Sequence, residues 1–542
     1  MAFKKKALAA LAIGIAAATA LTGCGRVDDT PTAANTQAET GAPSDAAPGA
    51  ASIIIGTTDK STSLDPAGSY DHGSLLIDTQ VYSFVYAFKG DSKVPEPDAA
   101  EKCEFISDTV FSCTLKPGLK FANGHDLTSS DVKFSYDRLV AIDDPNGPAS
   151  LVANLASVDA PDPLTVNFNL TAANDQTFMQ VLATSAGPIV DEEVFSATAL
   201  TPEAVIVDNK ATSGPYVIDS WKTNDTVVLK PYADYKGLSP APANSEVTLK
   251  TYTDATNLKL AVTTGEIDVA YRSLTPTDIE SLQADSSVKV WQGQGGEIRY
   301  LVFNLQTQPG GTDAEKFAIR QAIASSIDRE ALATNVYKNQ YTPLCSWVPD
   351  GYLGATNAAC DAYPLDKAAA AKFLADAGVT TPVALNIQYN PDHYGSSSDQ
   401  EYGLLKQQLE ATGLFTVNLQ STEWVTYNKE RVQDTYPIYQ LGWFPDFPDA
   451  DNYLTPFFTT NNFLKNHFDV KSVNDAILGE ATEVDAAARE TQIKDIQTDL
   501  AAHYLSTLPL LQGSQWAFSS TKVTGIELGV DELLHFATIS KS

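Results

Sequence analysis

Residues 111–140 read "FSCTLKPGLKFANGHDLTSSDVKFSYDRLV". Strand-like runs flank Pro117-Gly118, a dipeptide that turns the chain, and Asn123-Gly124 marks a second turn. Thr128 then opens a helix, with Asp131 three residues on, the spacing of a capping box. Val132, Tyr136, Leu139 and Val140 recur at i, i+4, i+7 and i+8, so that helix carries one apolar face. Strands, turns and an amphipathic helix in so short a stretch mark a layered α/β chain.

The same alternation runs outward in both directions. Upstream, "SIIIGTTDKSTSLDPA" (52–67) begins with a short buried strand at Ile53–Gly56 and turns at Leu64-Asp65-Pro66. Downstream, residues 212–232 read as two strands joined by a polar turn at Lys222–Asp225, and 257–271 as a helix, a stop at Gly265 and a strand. Strands are expected at 298–305, 385–390 and 415–420, and helices at 315–332, 366–378, 399–412 and 485–504. No internal repeat is evident.

The chain has 542 residues, more than one core accommodates, so two or three domains are expected. Its net charge of -31 excludes nucleic acid as a partner, since phosphate binding requires a basic surface. Lys4, Lys5 and Lys6 precede the apolar run "ALAALAIGIAAATALTGC", an export signal too short to be a comfortable permanent span. Leu21-Thr22-Gly23-Cys24 resembles the bacterial lipobox, which implies cleavage before Cys24 and lipid on its sulfur. Residues 25–51 contain no aromatic and one large aliphatic, Val27, so they read as a disordered tether. About 27 such residues span roughly 30 Å.

Four cysteines remain. An even number in an exported chain favours disulfides. The local pairs Cys103–Cys113 and Cys345–Cys360 are expected because each closes a short loop.

Residues 442–453, "GWFPDFPDADNY", hold three carboxylates, four aromatics and two prolines. Pro445 and Pro448 exclude a regular helix and a central strand, leaving a shaped loop that is both apolar and acidic. Three readings compete: a metal cage, a catalytic carboxylate pair, and a pocket for an organic cation. Counted from Asp449, the calcium-loop glycine and glutamate positions are Leu454 and Thr460, so an EF-hand fails. The chain has no phosphate loop, dinucleotide fingerprint, nucleophile elbow or zinc-protease motif, and its six histidines are scattered. No enzyme activity, metal or cofactor is therefore expected. The third reading fits best: a carboxylate for an ammonium, with aromatic faces for the rest.

From residue 53 onward the chain resembles the solute-binding proteins of peptide and nickel ABC importers, family 5 or cluster C. The landmarks are "SLDPA" (63–67), residues 113–139, "TSGPYVIDSW" (212–221), "GEIDVAY" (265–271), residues 300–332 and "GWFPDFPDADNYL" (442–454). The resemblance implies a two-lobed α/β periplasmic-binding-protein-like fold, type II, with an extra inserted domain. It divides the chain into a signal peptide (1–23), a lipidated tether (24–52), lobe I (53–85, 213–300 and 510–542), an inserted domain (86–212) and lobe II (301–509). It implies a monomer, lipid-anchored outside the cell membrane, that delivers short peptides to an ABC permease and ATPase. Asp446 corresponds to the acid that pairs with the peptide α-amine and Trp443 to the tryptophan beside it, with Phe444, Tyr70 and Asn304 also at the ligand. Asp449 and Asp451 would orient the loop or cap the next helix. Ala450 stands where many members have proline, while Pro445 and Pro448 are additions. Other ligands known in the family, an oligosaccharide or a nickel or metallophore complex, are the alternative, and a secreted hydrolase is a remote one.

Overall fold

The computed structural model describes residues 50–542 apart from positions 91, 273, 396 and 530. The signal peptide, Cys24 and nearly all of the tether lie outside the described residues. Among those described, no helix is long and apolar enough to cross a membrane.

An eleven-stranded sheet organises the molecule. In chain order its strands are β1 (Ser52–Thr57), β2 (Tyr216–Lys222), β3 (Thr226–Pro231), β4 (Glu246–Thr251), β5 (Val269–Tyr271), β6 (Val288–Phe303), β7 (Tyr341–Pro343), β8 (Val383–Tyr389), β9 (Phe415–Ser421), β10 (Ile438–Trp443) and β11 (Thr507–Ser520). They lie in the order β2-β3-β4-β1-β5-β11-β6-β10-β8-β9, with β7 also on β11. β1 runs parallel to β4 and β5, and β8 parallel to β9 and β10. β6 and β11 are antiparallel along nearly their whole lengths, from Val288 opposite Ser520 to Val302 opposite Thr507.

Those two strands run from one apolar core into another. Ile298–Phe303 and Leu508–Leu511 belong to a large core built from residues 298–511. Ala517 belongs to a second core, drawn from residues 53–84, 190–271 and 517–539. Val288 and Phe518 pack on the other face of the sheet, under helices Ala255–Thr264 and Pro276–Gln283. Between the cores the β6–β11 register shifts, between Gln294 and Ile298. Glycines allow the strands to pass closely there: a Cβ on Gly295 would lie 2.4 Å from the Gly513 carbonyl oxygen. This glycine run is why the sequence pattern predicts a strand only from 298, whereas β6 begins ten residues earlier.

A third core is built from residues 67–189 under a four-stranded antiparallel sheet, Ala100–Ser107, Val110–Leu115, Thr165–Leu170 and Leu155–Asp162. Phe447 is its one member from beyond that span. The helix opened by Thr128 runs Ser129–Ile142 and its capping box is present in full, Asp131 accepting from the Thr128 backbone. Cys103 and Cys113 face each other across a hairpin and are bonded, as are Cys345 and Cys360. Both expected disulfides therefore form.

The helix expected at 315–332 is broken. It runs Asp313–Ala324, and Asp328 caps a new turn at Arg329–Ala331. The Ser326 hydroxyl bonds back to the Ala322 carbonyl, a local bond that competes with helix continuation.

Candidate ligand-binding site

In open α/β sheets, ligands bind beyond the carboxyl ends of the strands. Here the chain leaves β1 toward Asp59, β5 directly into Arg272, β8 into residues 390–394, and β10 into the loop of Phe444 and Asp446. Residues from three of these ends line one cavity of about 440 Å³, including Arg272, Asp392, Tyr394 and Phe444. Gly295, Glu297 and Arg299 of β6 and Gly513–Trp516 of β11 close it between the first and second cores. Its volume lies within the roughly 300–1,000 Å³ of small-ligand sites.

The loop after β10 is held by its own side chains. Asn452 Oδ1 accepts from the Trp443 indole N–H at 2.9 Å and from the Asp446 backbone N–H at 3.0 Å. Asn452 Nδ2 donates to Asp446 Oδ2 at 3.1 Å. The other oxygen of Asp446 accepts from the Tyr70 hydroxyl, 376 positions away in the chain. Burial and the adjacent carboxylate raise the Tyr70 phenol well above its usual pKa, so it remains a donor. Burial also raises the Asp446 carboxyl, more than its two hydrogen bonds lower it. Among the described residues, no cation pairs with Asp446.

The other two loop acids are engaged structurally. Asp449 caps the turn Ala450–Tyr453, accepting from Asp451 N at 2.9 Å. It also takes both arms of the Arg489 guanidinium, at 2.7 and 2.9 Å, and Gln180 Nε2 at 3.0 Å. Asp451 accepts from the Thr455 hydroxyl. Glu480 lies 2.9 Å from the same Arg489, and burial among these carboxylates pushes it up. One guanidinium thus serves two buried acids, Asp449 and Glu480, which fixes the loop against helix Ala486–Asp499.

The sequence-derived site residues separate in the structure. Phe444 lines the cavity, whereas Asp446 and Tyr70, bonded to each other, are not among the residues that line it. Trp443 lies one layer back, its ring edge-on to Phe457 at 5.1 Å and Phe463 at 5.5 Å, and it acts on Asp446 through Asn452. Asn304 does not join them. It is fully buried past the end of β6, accepting from the backbone N–H groups of Gln306 and Thr307 and donating to Asp434 at 2.8 Å. Its carbonyl and amide are spent on a turn and on Asp434, and it is not among the residues that line the cavity. Among the described residues, no group of three or more His, Cys, Asp or Glu is placed to hold a metal.

Arg272, Glu297, Arg299 and His393 line the cavity without standing out in the sequence. The one signal for Arg272 is its position directly after the buried strand that ends "DVAY". Arg299 is sealed against Tyr341 and Tyr394 and pairs with Glu297 at 2.6 Å. His393 stacks on Trp424 at 3.8 Å, and burial lowers its pKa to about 4, which keeps it neutral.

A large mixed sheet with a ligand-sized cavity between two cores is the architecture of a two-lobed binding protein. Residues 94–465 match the family described as "Bacterial extracellular solute-binding proteins, family 5 Middle", and the chain belongs to that family. It is 25% identical over 416 residues to the probable D,D-dipeptide-binding periplasmic protein DdpA of Escherichia coli (strain K12), covering 76% of this chain and 78% of that one. Its fold is similar to that of HbpA2 from Haemophilus parasuis, with a TM-score of 0.76 and 20% identity over 91% of this chain and 100% of that one. A dipeptide-binding protein from Pseudoalteromonas sp. SM9913, solved in complex with Met-Leu, gives a TM-score of 0.73 and 20% identity at the same coverage.

Proposed function

We propose that this protein captures short peptides in the cavity between its two lobes and delivers them to an ABC permease, with Asp446 pairing the peptide α-amine. The observation that carries the reading is the state of Asp446. Burial raises its pKa and no described cation compensates it. Leaving a carboxylate in that condition is costly, and a ligand ammonium removes the cost. Tyr70 and Asn452 hold the two oxygens in place, and the Phe444 ring supplies an apolar face on the cavity wall. The names of the relatives, a probable D,D-dipeptide-binding protein and a protein crystallised with Met-Leu, favour the same ligand class.

The lobes and inserted domain assigned from the sequence are part of this reading, and the three apolar cores support it. So is attachment through lipidated Cys24 at the extracytoplasmic face of the membrane, with the chain acting as a monomeric receptor and not as an enzyme.

The test is a two-way comparison by titration calorimetry. A pool of di-, tri- and tetrapeptides is screened, and its strongest binder is titrated in free and N-acetylated forms against wild type and Asp446→Asn. Removing one partner of a buried charge pair costs about 2–5 kcal/mol, or roughly 30-fold to several-thousand-fold in affinity. Acetylation and Asp446→Asn should each produce such a loss, and the two should not add. Equal binding of free and acetylated peptide by wild type would overturn the amine anchor and favour an oligosaccharide or metal-complex ligand.

A further inference from the structure

Past Phe444 and Asp446, the loop after β10 enters a second buried contact that is crowded with acids. Asp449, Asp451 and Glu480 of the first-core body are all buried, Glu480 completely, and Arg489 is the one cation paired with any of them among the described residues. The third-core body closes over this cluster. Gln180, in the helical turn Phe178–Val181, reaches Asp449 at 3.0 Å, the Gln176 backbone N–H reaches the Ala481 carbonyl at 3.0 Å, and Phe447 sits in the third core. Asp175 caps that turn by accepting from the Thr177 and Phe178 N–H groups, and its negative field acts on Asp451. Two acceptors are left over. Oε1 of Glu480 and Oε1 of Gln180 are buried without a hydrogen-bond partner among the described residues. An ionised oxygen so placed bears its full desolvation cost, and a proton relieves it. Burial first, then the neighbouring carboxylates, raise Asp451 and Glu480 above their ordinary pKa; the Thr455 hydroxyl and Arg489 oppose this without cancelling it.

The contact also spans a joint. The third-core chain leaves and rejoins the second-core body, while β6 and β11 carry the first core past the glycine run at Gly295 and Gly513. Widening of the cavity about those strands, with the third core carried along by the second, parts the contact. We propose that this contact is a proton-sensitive latch: the third-core body docks on the loop after β10 with uptake of a proton by the Asp451 and Glu480 pair, so that acid holds the two bodies together and base parts them. The proposal rests on the lobed division above and not on which solute fills the cavity. Docking takes water from the cluster and brings Asp175 onto Asp451, so the docked form binds protons more tightly than the parted one. Raising pH through the window between the parted and docked pKa therefore weakens docking, by at most about tenfold per pH unit for each proton linked. Asp446 is the other acid on this loop with a raised pKa, held by Tyr70 and Asn452, and it contributes a share of its own.

The Gln176 N–H reads the latch directly, because its acceptor lies across the contact. Hydrogen exchange of the unliganded protein is followed by mass spectrometry from mildly acidic to mildly alkaline pH, each rate divided by the intrinsic chemical rate at that pH, so that it reports the opening equilibrium. Peptides covering 174–182 are the readout, and strand Thr165–Leu170, inside the third core, is the reference. Corrected exchange at 174–182 should rise with pH in wild type, by up to about tenfold per unit, while the reference strand stays unchanged. Asp451→Asn and Glu480→Gln each fix one group in its uncharged form. Flattening of the rise in either variant supports the latch, and any slope left in the double variant belongs to Asp446. Slopes equal to wild type in both variants would overturn the proposal, as would flat or falling exchange in wild type. A parallel rise in the reference strand would overturn it too, since the third core would then be unfolding and not undocking. A substitution that merely disturbs packing raises exchange by one factor at every pH, so the slope and not the level decides. Should Asp451→Asn fail to fold, the slope in Glu480→Gln decides alone.

Discussion

At the scale of single residues, the proposed pairing at Asp446 would tie binding to pH. Burial raises its pKa in the unliganded protein above the roughly 3.9 of an unfolded chain. The sign follows from linkage. Its contribution to folding stability is fully present below the unfolded pKa and is lost as pH rises through the raised folded pKa. A bound ammonium favours the ionised form and pulls the pKa back down. Binding therefore releases a proton when pH lies between the liganded and unliganded pKa, and affinity falls as pH drops through that window. Calorimetry in acidic buffers of different ionisation enthalpy should show proton release that fades toward neutral pH and is missing in Asp446→Asn. Proton uptake on binding would contradict the role given to Asp446. Its prominence was legible because two prolines and a tryptophan frame it. Arg272 was not, since nothing in a linear pattern says that a residue after one strand faces a loop some 170 positions later. The setting of Asn304 was hidden for a similar reason: a polar residue ending a strand can form a turn or meet a ligand, and the turn shows only in the positions of Gln306, Thr307 and Asp434.

At the scale of elements, the loop after β10 makes contacts in several directions. Phe444 meets Arg272, Asp446 meets Tyr70, and Phe447 enters the third core, where it is 6% exposed. Gln180 on the third-core side bonds Asp449, and the backbone N–H of Gln176 bonds the Ala481 carbonyl at 3.0 Å. The loop is thus a docking contact as well as the proposed ligand contact. Truncating a buried Phe to Ala typically costs about 3–5 kcal/mol. Phe447→Ala should lower the thermal midpoint and raise hydrogen exchange at 176–181 more than in the rest of the third core. Uniform exchange, matching wild type, would mean that Phe447 does not fasten the two. Local elements were the legible part of this fold. The Thr128 capping box, the Asp366 cap before helix Lys367–Asp376 and the stop at Gly265 each rest on neighbours in sequence. The break at Ser325 was hidden because apolar spacing continues through it to Ile327 and Ala331.

At the scale of the molecule, the alternation of strands and helices announces an α/β fold but not its strand order. β6 and β11 pair across about two hundred residues of intervening chain, and no periodicity encodes that partner. The resemblance supplied what pattern could not. The same holds for the tether, whose composition indicates reach but no contacts. If Cys24 is the anchor, removing the first 23 residues deletes three lysines and no acid, leaving an acidic globule attached by its lipid alone. Cys24→Ser should leave an uncleaved precursor or a released protein. Membrane partition equal to wild type after a salt wash would refute lipid attachment at that residue.

The two disulfides close loops of 10 and 15 positions, one inside the hairpin of the third core and one inside the first. Neither stitches one core to another. Each bridge therefore braces the body it lies in, while the contacts between bodies, such as Phe447 in the third core and Gln180 on Asp449, are non-covalent. Reduction would therefore loosen the two bridged bodies and break no covalent link between one core and another.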